Sequence, residues 1–233
     1  MTTATPTKPM TDSTATVRLT DSETVLAAAT SGASAAFAEI RRRGAERFAE
    51  AGLPTRRDEL WRYTSLRMLE DLSLDPAPAG AELSAADLER LAIPGLEGFR
   101  LVLVNGRVDA GHSRLDGLPA GVRVRSLAEA AGDAAVMEAL GSVSGDSGAD
   151  EPFVALNDAL LGDGVVIEVA AGVQMSEPIH LLAVAAGSGD GGAAPLHTSR
   201  VLVVAGEDSS VVVIEDHAAL GDEAVHLTNA LTE

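Results

Sequence analysis

The sequence predicts a mixed α+β segment followed by an all-β segment, and three observations carry that division. Before residue 141, capping patterns open helical stretches and an Asn-Gly pair joins two aliphatic runs, so helices and strands intermingle. Beyond residue 150, five short runs rich in Val, Ile and Leu follow one another with no helical period between them. Between the two lies G-S-V-S-G-D-S-G-A-D over 141–150, a linker by composition. The expected organisation is a disordered tail over 1–30, an α/β domain over 31–140, that linker, and a β-rich core over 151–233.

The tail is rich in Thr, Ser and Ala without a sustained period, so at most a helical turn near Val25 is expected there. From Ser34 to Ala51, Phe37, Ile40, Gly44, Phe48 and Ala51 fall on one stripe at helical spacing, and Gly52 and Pro54 end the helix. Its Arg41-Arg42-Arg43 run reads as a solvated face, because Glu39 precedes Arg43 by four residues and Arg42 precedes Glu46 by four. In L-P-T-R-R-D-E-L-W-R-Y-T-S-L (53–66), Thr55 and Asp58 form a capping-box pattern at a tight corner. That corner holds the only Trp and the only Tyr of the chain, Trp61 and Tyr63, which are expected to pack inward as a small aromatic core.

Ser65 is placed as the cap of a short helix through Leu69. Ser84 with Asp87 caps a helix that Pro94-Gly95 ends, and Ser126 with Glu129 caps another that runs to Leu140. Between them, F-R-L-V-L-V, Asn105-Gly106 and R-V read as a hairpin through a type I′ turn, and Val122 to Arg125 as a further strand. After the linker a helix over Phe153 to Leu161 leads into strands starting near Val165, Ile179, Val201, Val211 and Val225. Short strands at this spacing suit a β-sandwich, a jelly roll or a parallel β-solenoid, and periodicity does not choose among them.

Composition narrows the function classes. The chain has no Cys, so it supplies no disulfide, thiolate nucleophile or thiolate metal ligand. Aromatic residues are 3% of the 233, which argues for an aliphatic core and against a deep aromatic-lined pocket. The start M-T-T-A-T-P-T-K-P-M has neither the basic opening nor the apolar core of a secretory signal, and no apolar run of bilayer length exists, so a cytoplasmic location is expected. The net charge is −18 and is uneven. Residues 1–125 carry 16 basic and 17 acidic side chains, whereas 126–233 carry one basic residue, Arg200, and 18 acidic ones. Such a field disfavours nucleic acid and anionic membrane as partners.

The corner motif resembles a signature of the SufB/SufD family of iron-sulfur cluster assembly proteins, on Pro54, Thr55, Arg56, Glu59, Trp61, Tyr63, Thr64 and Leu66. A second similarity spans Phe153 to Val169 and then Pro178 to Leu181, at the entry to that family's β-helical core. The missing Cys and the long stretch before the corner favour the SufD-type subunit. The resemblance implies an α+β N-terminal domain followed by a right-handed parallel β-helix. It also implies a non-catalytic scaffold that pairs with a SufB-like subunit and, through a C-terminal domain not present in this sequence, with a SufC-like ATPase. On that reading the chain binds no cofactor alone, an iron-sulfur cluster being assembled transiently with a partner. Because the sequence stops at Glu233 directly after the apolar strand near Val225, it is expected to be the N-terminal part of a longer protein.

Candidate chemistry rests on five histidines, His112, His180, His197, His217 and His226, none at a strong metal-motif spacing. Glu215 and His217 lie at i and i+2 and share a strand face, with His226 expected on a neighbouring strand. These three are the weak candidates for a metal site, and the competing function is a metal-dependent jelly-roll (cupin-like) enzyme. A polar ladder on the outer face of a solenoid reads the same and is the expectation adopted. His112 and His197 are expected at the surface, and no residue is assigned a catalytic role.

Overall fold

The computed structural model describes residues 16–31, 34–77, 81–144, 151–187, 193–221 and 225–233. The described helices are α1 (Ser22–Ser31), α2 (Ala38–Ala51), α3 (Arg67–Glu70), α4 (Ala85–Leu91), α5 (Leu127–Ala130), α6 (Ala134–Ala139) and α7 (Pro152–Ala159), with 3₁₀ turns at Ala35–Phe37 and Glu59–Trp61. The strands are β1 (Leu74–Pro76), β2 (Phe99–Val104), β3 (Arg107–Val108), β4 (Val122–Ser126), β5 (Val165–Val169), β6 (Ile179–Ala185), β7 (Ala194–Ala205), β8 (Val213–Ala219) and β9 (Leu227–Thr232). One sheet runs β1-β7-β5-β4 with β9 also on β7; the other runs β3-β2-β6-β8. Strands β5 to β9 alternate between the two sheets, and each pairs in parallel with the strand two places later: β5 with β7, β6 with β8, β7 with β9. Among the described strands, antiparallel pairing occurs between β4 and β5 and in the β2–β3 hairpin, with isolated antiparallel bridges at Val17–Leu74 and Arg100–Arg114.

The aliphatic runs are continuous because both faces of these strands are covered. In β2, Leu101 and Leu103 join Ile167, Ile179, Leu181 and Val201 between the sheets, while Val102 and Val104 turn outward onto Leu83 and Leu88 beside α4. On the first sheet, Leu196 packs against Phe48 and Leu156 of α2 and α7, and Val166 and Leu202 pack against Phe37, Leu127 and Val136.

The local signals at several elements correspond to what forms. Ser84 and Ser126 each make a full capping box, with Asp87 and Glu129. Asn105 and Gly106 adopt φ of 52° and 77°, the left-handed pair a type I′ hairpin requires, and Leu103 pairs with Val108 across it. Gly106 has a second constraint: a Cβ there would collide with the carbonyl oxygen of Thr198. Arg42 and Arg43 form the exposed ion pairs with Glu39 and Glu46 that their spacing implies.

Other elements differ. Residues 16–31, read as the end of a disordered tail, are folded: Val17 bridges Leu74, and Val17, Leu19 and Val25 are buried against α2. Their apolar content is too sparse for a visible period, yet Val17, Leu19, Val25, Ala28 and Ala29 are buried against a formed surface, while Leu26 stays exposed. Residues 1–15 lie outside the described ones, as do 145–150 of the linker. Ser65 caps nothing, the position before α3 being Leu66. The helix read from Ser126 to Leu140 is two, because Asp133 accepts from the N–H of Ala135 and starts a second one after Gly132. Strand β7 begins at Ala194, ahead of Val201, because its first half pairs with β1 and β9. The sheets also cross the expected domain boundary: β1, β2 and β4 lie before the linker in sequence and pair with β7, β6 and β5 after it.

Among the contacts that join α7 to its surroundings, two stand out by their burial. Arg200 of β7, 1% exposed, donates from Nε to Asn157 Oδ1 (3.0 Å), from Nη1 to Glu233 (2.9 Å) and from Nη2 to Asp158. Asp158 also accepts from Arg47 of α2. Gly44 of α2 lies directly on α7, where a Cβ would sit 2.6 Å from Asp158 Cβ and 2.8 Å from the Ala155 carbonyl oxygen.

Gly44→Ala should therefore destabilise the fold by roughly 1–3 kcal/mol through overpacking, read as a lower urea midpoint at unchanged slope. Arg200→Leu leaves Asp158 and Glu233 as buried carboxylates without their shared cation, an expected loss of about 3–5 kcal/mol in the same measurement.

Candidate functional site

The side chains between the two sheets change character along the strands. Successive residues of a strand point to opposite faces, so Val201, inside the aliphatic layer, places Ser199 and His197 on the same inner face. Val213 does the same for Glu215 and His217. The register of Leu196 with Leu227, both packed on the helical side, turns Thr228 inward as well. A cavity of about 390 Å³ lies there, with Asn105, Ser199 and Thr228 beside the imidazoles of His197, His217 and His226, over a floor that includes Ala183 and Ala185.

The three weak metal candidates are arranged differently from expectation. Glu215 and His217 do share a face, but it is the face between the sheets and not an outer ladder. Strand β9 pairs with β7, so His226 belongs to the opposite sheet from β8 and is not on a neighbouring strand. His217 Nε2 is 4.0 Å from Glu215 Oε2, Glu215 accepts from the Thr232 hydroxyl, and His226 meets His197 edge to face with centroids 5.6 Å apart. No group of three or more His, Asp or Glu side chains placed to hold a metal ion occurs among the described residues.

His197, expected at the surface, is 4% exposed, and its Nδ1 has no hydrogen-bond partner. Burial, and secondarily the nearby charge of His226, depress its pKa from 6.5 to about 4. A neutral imidazole is therefore built into the cavity wall at neutral pH. Counting by twos from Val201 and Val213 finds these residues in the sequence, but only once the inner face is known. His112 bonds Asp109 at 2.7 Å in its loop, and His180 is buried 3.5 Å from Asp216.

At the corner, Asp58 accepts from the Thr55 N–H (2.6 Å) and hydroxyl (3.0 Å), and the Trp61 N–H bonds the Asp58 carbonyl at 2.9 Å. The two bonds from Thr55 hold the Asp58 carboxyl below the usual carboxylate range. Pro54 is buried, Trp61 is half-buried with its ring 5.1 Å from that of Phe153, and Thr55, Arg56, Glu59 and Thr64 are exposed. Tyr63 departs from the expected aromatic core: it is 90% exposed, with the Arg62 guanidinium 5.5 Å from its ring centre. Of the two aromatics, Trp61 alone has a ring partner among the described residues, Phe153.

Fold and site together define a helix-buttressed protein of two mainly parallel sheets, with no metal-holding group among its described residues. The chain belongs to the SufB/SufD family: the family model described as the SufBD protein N-terminal region matches residues 20–181. An iron-sulfur cluster assembly SufBD family protein of Synechocystis is 30% identical over 171 residues, 72% of this chain. The chain spans about a third, 36%, of that relative's length. Among the described residues no helix is long and apolar enough to cross a membrane.

The depressed pKa of His197 has a pH consequence with a definite sign. Below pH 6.5 the unfolded chain takes up a proton on His197 that the folded chain does not. Its contribution is thus intact above pH 6.5 and is lost progressively as pH falls toward 4. Between pH 6.5 and 5 the loss should be roughly 2 kcal/mol, and His197→Asn should remove that increment from the stability difference measured by denaturation at the two pH values.

Proposed function

We propose that this chain is the N-terminal portion of a SufD-type scaffold subunit that takes part in iron-sulfur cluster assembly without catalysing a reaction itself. Family membership over residues 20–181 is the observation that carries the reading. One feature of the chain agrees with a scaffold: it has no Cys to hold a cluster. The strands β5 to β9 would then be the first rungs of a right-handed parallel β-helix; their parallel pairing in alternation between two sheets supports this. The jelly-roll enzyme, which pairs its strands antiparallel, is disfavoured by the same register.

The partners on this reading are a SufB-like subunit, met along the β-helix, and a SufC-like ATPase recruited by a C-terminal domain outside this sequence, all in the cytoplasm. No cofactor is held by this chain alone; a cluster is assembled transiently with the partner. The acidic half, with 18 carboxylates and one cation, supplies a field that would concentrate cations near the assembly.

The test is co-expression with SufB-like and SufC-like subunits, as the chain stands and as the full reading frame containing it, followed by metal analysis. The expected outcome is a complex from the full frame, with no stoichiometric transition metal on the isolated chain. A tightly bound metal on the isolated chain, or a full-frame protein that forms no complex and leaves cluster yield unchanged, overturns the scaffold reading.

A further inference from the structure

The corner around Trp61 leaves three large apolar side chains in solvent: Tyr63, Leu60 at 80% exposure and Met68 at 76%. Burial in this fold explains none of them, and side chains of this kind gathered at one place mark contact surfaces. Beside them a groove of about 440 Å³ runs between the last turn of α2, the corner, and the start of α7.

The charges of that groove are unbalanced. Arg47 is the only cation of its lining, and Asp158 already engages it. Asp58 is committed to Thr55. Glu50, Glu59 and Glu151 also line the groove and make no ion pair among the described residues. Arg56, Arg57, Arg62 and Arg67, from the same stretch of chain, lie outside the lining. The wall between these carboxylates is apolar: Leu60, and the indole of Trp61 held from below by Phe153.

We propose that this groove docks a segment of a partner protein in which Arg or Lys is flanked by apolar residues. The cation would lie between Glu50, Glu59 and the Trp61 indole, where carboxylate pairing and the ring face both favour it. The apolar flanks would cover Leu60. A bare cationic segment satisfies the carboxylates alone, and an acidic one is repelled. The proposal does not depend on the role in cluster assembly; it depends only on the groove.

Trp61 is the only Trp of the chain, so its emission reports this groove and nothing else. The probes are three capped heptapeptides: one with two Arg interleaved among Leu, one with Gly replacing every Leu, and one with Glu replacing both Arg. The first should produce a saturable shift of Trp61 emission at physiological salt, the second should bind at least fivefold more weakly, and the third should give no shift. Glu50→Gln with Glu59→Gln should weaken the first peptide at least fivefold, whereas Glu89→Gln on α4 should not; all three positions are exposed, and circular dichroism checks that the variants fold. Equal affinity for the Leu and Gly peptides, or equal loss from Glu89→Gln, reduces the binding to the overall negative field and overturns the proposal. So does the absence of any saturable shift.

Discussion

The buried guanidinium of Arg200 is the contact on which the two halves of this architecture converge. It is the only basic side chain after residue 125, and it is spent inside the protein and not on the acidic surface around it. Its three hydrogen-bonding groups reach Asn157 and Asp158 on α7 and Glu233 beyond β9. Through Asp158 the network extends to Arg47 on α2. Removing such a charge from water is costly, and the cost is offset only when every donor is met. The network therefore specifies one docking of α7 on β7, and Gly44 allows α2 to follow at backbone contact distance.

That docking explains why the region before the linker and the region after it form common sheets. Strand β2 supplies a parallel neighbour to β6, and β4 closes the free edge of β5. An exposed parallel edge is a template for unwanted pairing, and helices and an antiparallel strand at one end blunt it. The N-terminal region is thus the cap on one end of the alternating strands. The layer between the sheets is apolar where β2, β5 and β6 meet, and turns to imidazole, hydroxyl and carboxylate where β8 and β9 face each other.

The uneven charge acquires a structural meaning from this arrangement. With Arg200 internal, the later half of the chain presents carboxylates without any basic side chain of its own to neutralise them. Arginines of the first half serve several ends: helix-surface pairs on α2, buried backbone contacts of Arg41 with Ala29 and Leu161, and ion pairs of Arg47 with Asp158 and of Arg123 and Arg125 with Glu168, which neutralise two carboxylates of the later half. A run such as Arg41-Arg42-Arg43 thus holds two solvated side chains and one structural one, a distinction invisible to spacing alone.

Local rules were enough at several positions where a residue acts on its immediate neighbours, though not at Ser65. Ser84, Ser126 and Asn105-Gly106 dictate caps and a hairpin through bonds spanning two to four residues, and the family signature is likewise a contiguous string. Partnership across the fold was not legible. Which face of β8 is internal, whether His226 lies beside or opposite His217, and whether Tyr63 packs or stands in solvent all depend on strands and helices distant in sequence. The physical reason is that periodicity records how often a side chain is covered, whereas the identity of what covers it is set by register and crossover, which only the assembled sheets decide.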